Sequence, residues 1–340
     1  NKKINYRLIH TGQHYSKKLS NDLFEELNID KPDFNLNVGS GSQANQTARI
    51  MVKYEKLLLK SLPILCLVVG DVNSTMACAI VAKKMNILVA HVEGGLRSFD
   101  ESMPEEINRM VTDSIADFYF TTSLNASNNL LISGKKKKQI FFVGNTMIDT
   151  LVENYSRLKK PKIWKNFRLK NNNYFLLTLH RPSNVENQKK LISILQHICS
   201  ACMNNKVIFP IHPRTKNKLI GNSILPKNLC IISPQSYLNF IYLLDHSKAI
   251  LTDSGGVTEE ATFLNIPCIT FRNTTERPET ISLGTNELIG DKFNKLNTFI
   301  KKINQFRWKQ AKIPSKWDGN SSKRIVKKLL EIINKYENNK

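Results

Sequence analysis

Residues 249–279, AILTDSGGVTEEATFLNIPCITFRNTTERPE, constrain the fold more than any other stretch of this sequence. An apolar run is broken by Ser-Gly-Gly at 254–256, a segment of helical character follows, and a β-rich run begins at Ile266. This pattern predicts one βαβ unit. The glycines of such a unit let the backbone approach a ligand closely, and the unpaired N–H groups of the first helical turn favour a phosphate there.

Two acidic residues, Glu259 and Glu260, follow these glycines in what the pattern predicts to be the first helical turn. A carboxylate in that position either complements the helix dipole or reaches a sugar hydroxyl. Taken alone, this stretch favours dipole compensation.

Strand and helix patterns alternate along most of the chain, with an interruption at 153–173 that is polar and basic and predicts a linker. Such alternation predicts an α/β protein of two Rossmann-like doubly wound domains, with a ligand cleft between them. We expect an N-terminal domain over 1–152, a C-terminal domain over 153–321, and a helix over 322–340 that could pack back on the first domain.

The apolar run at 64–69 is typical of a central strand in a parallel sheet that is covered on both faces. Asp71 follows this run, and Glu93 follows the next apolar run along the chain, each beside a glycine. Ligands of doubly wound sheets lie beyond the carboxyl ends of the strands. One such carboxylate would more often be a helix cap, but two of them point to a site.

Two other groups of charged residues each leave more than one interpretation open. Glu105 and Glu106 precede Arg109 at helical spacing, which fits either a functional cluster or ordinary surface pairing. His180 follows an apolar strand and precedes Arg181-Pro182, so it could be a catalytic acid, a phosphate contact or a satisfied surface imidazole.

The formal charge of +22 raises the question of a nucleic-acid partner. Lysines are spread along the whole chain, and the one basic block, residues 135–138, has no interleaved aromatic residues on which bases could stack. The distribution therefore predicts a solvated lysine-rich surface and no nucleic-acid partner.

Membrane insertion and disulfide bonding are also not expected. No apolar run approaches the roughly 20 residues needed to span a bilayer, and the N-terminal residues lack the apolar core of a signal peptide. The six cysteines lie mostly in apolar contexts, and the Cys199–Cys202 pair lacks a second pair or a redox-type context. These features predict a cytoplasmic protein with no membrane partner.

Nine segments distributed over nearly the whole chain carry the most specific signal. They are GQH at 12–14, GDVNST at 70–75, HVEGGLRS at 91–98, MPEEINR at 103–109, GNTMID at 144–149, HRPSN at 180–184, PQSYLNF at 234–240, TDSGGVTEEA at 252–261 and TTERPE at 274–279. In order and spacing they resemble the motifs of the non-hydrolysing UDP-N-acetylglucosamine 2-epimerases. Any one motif would be weak, but nine in register make the match specific.

The resemblance implies a glycosyltransferase-B-like fold, a homodimer, a UDP-sugar substrate and no cofactor or metal. It also implies inversion at C2 of UDP-N-acetylglucosamine to give UDP-N-acetylmannosamine. The implied route is elimination of UDP to an enzyme-bound 2-acetamidoglucal, followed by re-addition of UDP. Such chemistry needs a base, an acid and fixed positive charge or N–H donors for the departing diphosphate.

By the same resemblance, Asp71, Glu93 and Glu105 are the acid–base candidates and His180 supports the leaving pyrophosphate. The implied substrate contacts are Gln235 and Phe240 to uracil, the backbone of Ser254, Gly255 and Gly256 to phosphate, Glu260 to the ribose hydroxyls, and Arg277 to the diphosphate. Gln13, His14 and Arg181 match positions of a second, regulatory UDP-N-acetylglucosamine.

The sequence departs from the family pattern in two places. It opens at what matches the family's second strand, so the first strand and its Gly-Thr-Arg-Pro-Glu turn, which carries an active-site arginine, have no counterpart in it. Gly94 stands where the family usually has alanine. A nucleotide-sugar binding protein without turnover therefore stays open. A UDP-sugar glycosyltransferase of the same fold also stays open, because the same two-domain cleft can present a nucleotide sugar to an acceptor.

Overall fold

The computed structural model describes residues 4–13, 23–219 and 225–338. The chain forms two compact units. The first unit contains the described residues up to Asp149 together with those from Ser315 onward, and the second runs from Thr150 to Pro314. In the described part of the chain, no helix combines the length and the apolar character that crossing a bilayer requires.

The first unit contains six strands. Its elements in chain order are β1 (Ile9–His10), β2 (Phe34–Asn35), α1 (Gln43–Leu58), β3 (Leu65–Val69), α2 (Asn73–Lys84), β4 (Leu88–Val92), α3 (Pro104–Ile115), β5 (Phe118–Thr121), α4 (Leu124–Ile132), β6 (Ile140–Phe142), α5 (Thr146–Asn154), which crosses the unit boundary, and the C-terminal helix, Ser321–Glu337. β1 pairs with β2, and a second sheet has the order β3-β4-β5-β6. All these pairings are parallel.

The expected central position of β3 is wrong. Among the described strands, β3 pairs only with β4 and forms an edge of its sheet, and Leu67 and Val69 are 43% and 52% exposed. An apolar run indicates that a strand can be buried on both faces, but strand order depends on contacts far apart in sequence.

The second unit is built around one sheet. Its elements are α6 (Lys162–Asn166), β7 (Tyr174–Thr178), α7 (Pro182–Val185), α8 (Gln188–Cys202), β8 (Lys206–Pro210), α9 (Pro213–Asn217), β9 (Leu229–Ile232), α10 (Tyr237–Asp245), β10 (Ala249–Thr252), α11 (Gly255–Phe263), β11 (Cys268–Thr270), α12 (Glu279–Ser282), β12 (Asn286–Leu288) and α13 (Asn294–Asn304). The strand order is β12-β11-β10-β7-β8-β9, all parallel. This is the predicted Rossmann-like βαβ arrangement.

The polar segment at 153–173 is not the linker that its composition predicts. It contains α6, whose Trp164 is buried and makes edge-on ring contacts with Tyr174, Tyr242 and His246. Leu169 is buried in the same cluster. Leu158, Ile163 and Phe167 pack against the same cluster, so a few apolar side chains anchor this otherwise polar segment to the core, which average composition does not reveal.

The C-terminal helix, α14 from here on, packs on the four-stranded sheet of the first unit. Its Ile325, Leu329 and Ile332 recur at helical spacing and share a buried cluster with Ala90 and Phe120. The carboxylate of Asp149 accepts the backbone N–H groups of Ser321 and Ser322 and so caps the start of the helix.

A buried charge network connects β4 with α3. His91 lies 2.7 Å (Nδ1) from Asp113 Oδ1 and 2.8 Å (Nε2) from the carbonyl oxygen of Gly70. Asp113 also accepts from Arg97 Nη1 at 2.6 Å and from the Gly95 N–H at 3.0 Å. Both partners of the imidazole are acceptors, so both ring nitrogens donate and His91 is an imidazolium.

Opposite pKa shifts follow from this network. Burial alone lowers the pKa of His91 and raises that of Asp113. The mutual attraction and hydrogen bonds outweigh burial, so the pKa of His91 lies above its ordinary value and that of Asp113 below. The pair holds the turns at Gly70 and Gly95 in place.

Asp113→Asn should lower the free energy of unfolding of the first unit by about 3–5 kcal/mol, because it leaves buried His91 and Arg97 without their counter-charge. Urea unfolding measures this loss. Glu331→Gln is the control, since it removes a carboxylate from the exposed ion pair with Lys328, where solvent screening leaves little stability to lose. Equal losses for the two variants would contradict a dominant role for the buried network.

The stabilising effect of His91 should depend on pH. A raised pKa in the folded state gives stability that is fully present below the unfolded value of about 6.5 and is lost as pH rises through the folded value. The difference in unfolding free energy between wild type and His91→Gln should therefore shrink as pH rises, by about 1.4 kcal/mol per unit of raised pKa. A difference that stays constant between about pH 5.5 and 9 would argue against the imidazolium.

Candidate functional site

The two carboxylates predicted at strand ends lie at the same edge of a sheet. Asp71 follows β3 and Glu93 follows β4, and Val69 pairs with Val92 at the ends of these neighbouring strands. Glu93 is half-buried and has a φ of +69°, a conformation that residues other than glycine rarely adopt. Such strain concentrates at functional sites, and the hydrogen bond from the Glu93 N–H to Phe120 O helps to maintain it.

A buried arginine, Arg109, links one of these carboxylates to α3. Its Nη1 donates to Asp71 Oδ2, while Nε and Nη2 donate to Glu106 Oε2 at 2.9 and 2.6 Å. Arg109 and Glu106 are each only 1% exposed, so the surface-pairing interpretation is wrong. Helical spacing cannot distinguish a buried pair from an exposed one.

Of the two neighbouring glutamates, Glu106 has the structural contacts. Its carboxylate accepts the N–H and Oγ of Ser98 and the N–H of Phe99. Burial opposes ionisation, but the contacts with Ser98 and Arg109 hold the pKa of Glu106 below its ordinary value. Glu105 lies in the first turn of α3 and is half-buried.

The glycine turn of the second unit begins α11 directly. Gly255 is the first helical residue and Ser254 the N-cap, whose N–H donates to Thr252 Oγ1 at 3.0 Å. Gly256 is half-buried. A Cβ at Gly255 would lie 2.3 Å from Glu276 Oε1, so glycine is needed here for close packing against that carboxylate.

The expected first-turn position of Glu259 and Glu260 is wrong, because α11 begins two residues earlier than predicted and leaves its first turn without acidic residues. Both glutamates are buried, so dipole compensation does not explain them. Glu259 Oε2 pairs with Arg277 Nε at 2.8 Å. Burial raises the pKa of Glu260 to about 7, with the Tyr237 hydroxyl acting in the opposite direction.

Arg277 belongs to a second buried ionic cluster. Besides Glu259, it lies 3.9 Å (Nη1) from Glu276 Oε1, and Glu276 pairs with Arg272 Nη2 at 2.6 Å. Burial opposes ionisation of Glu276, but the two guanidinium groups hold its pKa far below the ordinary value. Glu276 lies beside Gly255 at the start of α11, so the cluster connects Arg277 to that end of the helix through this carboxylate.

Gln235 and Phe240 both lie in the second unit, on either side of the start of α10. Gln235 is half-buried, and its Nε2 donates to Ser233 O at 2.9 Å. Phe240 packs against the cluster that contains Ile241 and Leu244. Tyr237, on the same helix, lies next to Glu260.

Two of the three predicted regulatory residues, Gln13 and Arg181, belong to different units. Gln13, in the first unit, accepts from Ser74 Oγ at 2.7 Å through Oε1 and from Gln46 Nε2 at 3.1 Å through its carbonyl. Arg181 is in the second unit, where its Nε donates to Asp253 O. His14 lies outside the described residues.

His180 is paired at one ring nitrogen. Its Nδ1 lies 2.7 Å from Asp253 Oδ1, and the side chain is 60% exposed. β7 and β10 pair through Thr178 and Thr252, so the residues that follow both strands are neighbours. Sequence analysis missed Asp253, although its position directly after an apolar strand is the same signal that identified Asp71 and Glu93.

Each unit thus has a distinct chemical capacity. The first offers carboxylates able to accept and donate protons next to a fixed guanidinium. The second offers helix N–H groups, an imidazole and a buried arginine that suit an anion. Within residues 4–13, 23–219 and 225–338, no group of three or more His, Cys, Asp or Glu side chains is arranged to hold a metal ion.

Comparison with known proteins gives consistent results. The family model for UDP-N-acetylglucosamine 2-epimerase matches residues 1–330. The UDP-N-acetylglucosamine 2-epimerase of Methanocaldococcus jannaschii is 44% identical, over 96% of this chain and 91% of that protein. A UDP-2,3-diacetamido-2,3-dideoxy-D-glucuronate 2-epimerase of Pseudomonas aeruginosa is 39% identical, over 83% of this chain and 79% of that protein.

Solved structures agree in fold. The crystal structure of the Methanocaldococcus jannaschii UDP-GlcNAc 2-epimerase in complex with UDP-GlcNAc and UDP superposes with a TM-score of 0.83, at 43% identity, covering 96% of this chain and 92% of that one. The predicted glycosyltransferase-B-like fold of two Rossmann-like domains is therefore confirmed. The chain belongs to the UDP-N-acetylglucosamine 2-epimerase family and is an epimerase.

Proposed function

We propose that this chain interconverts UDP-N-acetylglucosamine and UDP-N-acetylmannosamine by elimination and re-addition of UDP through 2-acetamidoglucal. The observation that carries the proposal is the pair of carboxylates, Asp71 and Glu93, at the ends of adjacent parallel strands. The complex of the Methanocaldococcus jannaschii relative with UDP-GlcNAc and UDP supports the choice of substrate.

The carboxylates of the first unit move the proton at C2. One of Asp71, Glu93 and Glu105 removes it, the C1–O bond to UDP breaks with its electron pair leaving on the β-phosphate oxygen, and the C2 electron pair forms the C1=C2 bond. UDP then adds back to C1, and a carboxyl group returns a proton to the opposite face of C2. Arg109 fixes the Asp71 side chain for this step through its Nη1 contact.

The second unit binds the nucleotide in this proposal. Gln235 and Phe240 contact the uracil and Glu260 accepts from the ribose hydroxyls. The backbone N–H groups at Ser254, Gly255 and Gly256 hold phosphate oxygens, because the start of α11 presents unpaired donors. The His180 imidazole and the Arg277 guanidinium donate to the diphosphate.

The finer aspects of the function are proposed from the resemblance to the family. The active form is a homodimer in the cytoplasm, and its product is a precursor for cell-surface polysaccharide. Gln13, His14 and Arg181 bind a second, regulatory UDP-N-acetylglucosamine. Neither a cofactor nor a nucleic-acid partner takes part.

Glu93→Gln should retain UDP binding and lose conversion by about 10²-fold or more, because an amide keeps the shape of the side chain but cannot take a proton. Proton NMR of UDP-N-acetylglucosamine incubated with the protein in deuterated water, without an acceptor, measures both conversion and deuterium at C2. Glu101→Gln, an exposed carboxylate in the same region, should convert at the wild-type rate. Sugar transfer to an added acceptor without exchange at C2 would contradict the proposed reaction and indicate a glycosyltransferase.

Glu260 should make UDP binding depend on pH. A carboxyl with a pKa of about 7 must lose its proton to accept two ribose hydroxyls, so affinity should rise as pH increases through about 7. UDP has a phosphate that also titrates, near pH 6, and this contribution cancels when wild type is compared with Glu260→Gln. Calorimetry between pH 5.5 and 8.5 measures the difference. If UDP affinity depends on pH in the same way for both proteins, Glu260 does not bind the ribose hydroxyls.

A further inference from the structure

His180 is an exposed imidazole, and among residues 4–13, 23–219 and 225–338 its ring has one ion-pair partner. Its Nδ1 contacts Asp253 Oδ1, and the rest of the ring belongs to a side chain that is 60% exposed. A side chain so exposed would normally sample several rotamers, so its direction depends on this one contact. The properties of Asp253 therefore decide where Nε2 points.

Asp253 is itself buried and held by several donors. It is 0% exposed, and besides the His180 ring it accepts the backbone N–H groups of His180 and Arg181 and the Nδ2 of Asn184, at 3.0–3.2 Å. Burial opposes ionisation, yet these donors keep the pKa of Asp253 below its ordinary value. The carboxylate is thus an anion with a full set of donors, attached to the end of a central strand.

A carboxylate can only accept, so the imidazole must carry its proton on Nδ1. Nε2 is then the nitrogen that meets a ligand. We propose that Asp253 is a positioning residue that sets the tautomer and direction of His180 and balances the imidazolium charge when Nε2–H donates to the departing diphosphate. Asp253 touches no substrate in this scheme and acts through the ring.

The inference deepens the proposed function and rests on it for the identity of the ligand. When the C1–O bond breaks, its electron pair remains on a β-phosphate oxygen, and a charged Nε2–H is a stronger donor to that oxygen than a neutral one. Asp253 also immediately precedes Ser254 and Gly255, so the same residue connects the His180 turn to the start of α11. A purely structural role, in which Asp253 only holds the backbone of 180–181, is the alternative to be distinguished.

Nitrogen-15 NMR of the His180 ring tests the geometry without any need for turnover. In the wild-type protein, we expect Nδ1 to carry a proton both without ligand and with UDP bound, while the Nε2 signal changes on UDP binding. A neutral ring protonated at Nε2 in wild type would overturn the proposal even if the protein is an active epimerase. A ring protonated at Nδ1 would support the proposal even in a wild-type protein that shows no conversion. Lack of conversion would count only against the proposed function.

Asp253→Asn tests the consequence for catalysis. The amide keeps an acceptor for the backbone N–H groups but no longer enforces protonation at Nδ1, so kcat should fall on the order of 10²–10⁴-fold with a change in KM of only a few-fold. Thr178→Val is the matched control, because it removes the hydroxyl contact with Thr252 at the same strand ends and leaves the carboxylate intact. Its kcat should remain within about threefold of wild type.

A double-mutant cycle separates positioning from structure. If Asp253 acts through the ring, Asp253→Asn should cost less than about threefold further in a His180→Ala background. An equal loss with and without the imidazole would show that Asp253 only holds the backbone, and the proposal would fail. Circular dichroism tests whether the variants are folded. If Asp253→Asn does not fold, the tautomer of His180 in the wild-type protein tests the proposal instead.

Discussion

Parallel strand pairing is the constraint on which both functional regions depend. β3 and β4 end together, which brings Asp71 and Glu93 to one edge of a sheet, and β7 and β10 end together, which brings His180 next to Asp253. Because all strands of a parallel sheet run in one direction, every residue that follows a strand lies at the same edge. The carboxyl edge therefore assembles polar groups that are 22 residues apart in sequence for Asp71 and Glu93 and 73 apart for His180 and Asp253.

Buried ions support these edges. Arg109 fixes Asp71 from α3, and Asp113 with His91 holds the turn at Gly70 that precedes it. Removing charges from water is costly, and it is offset only where each ion is satisfied by several partners, as Asp253 is. The result is a set of side chains with little freedom to reorient, which suits chemistry that depends on fixed donors and acceptors.

Sequence patterns predicted where most helices and strands lie along the chain, but not which residues pack around them. The βαβ unit, the strand-end carboxylates and the family were predicted from local motifs, whereas the edge position of β3, the packing of Trp164 and the burial of Glu106 and Glu259 were not. Periodicity reports which face of an element is apolar, but it does not report which partner covers that face. An ion pair at helical spacing looks the same in sequence whether it is buried or exposed.

The sequence by itself determined the alternation of strand and helix, the glycine turn of α11, the positions of Asp71, Glu93 and His180 after strands, and membership of the family. These depend on residues close together in the chain or on motifs in register. Only the tertiary structure decided that Asp253 pairs with His180, that His91 is sandwiched between Asp113 and Gly70, and that Glu260 is buried. Those properties depend on strand order and helix packing, and hydrogen bonds and pKa values follow from the solvent exclusion that such packing creates.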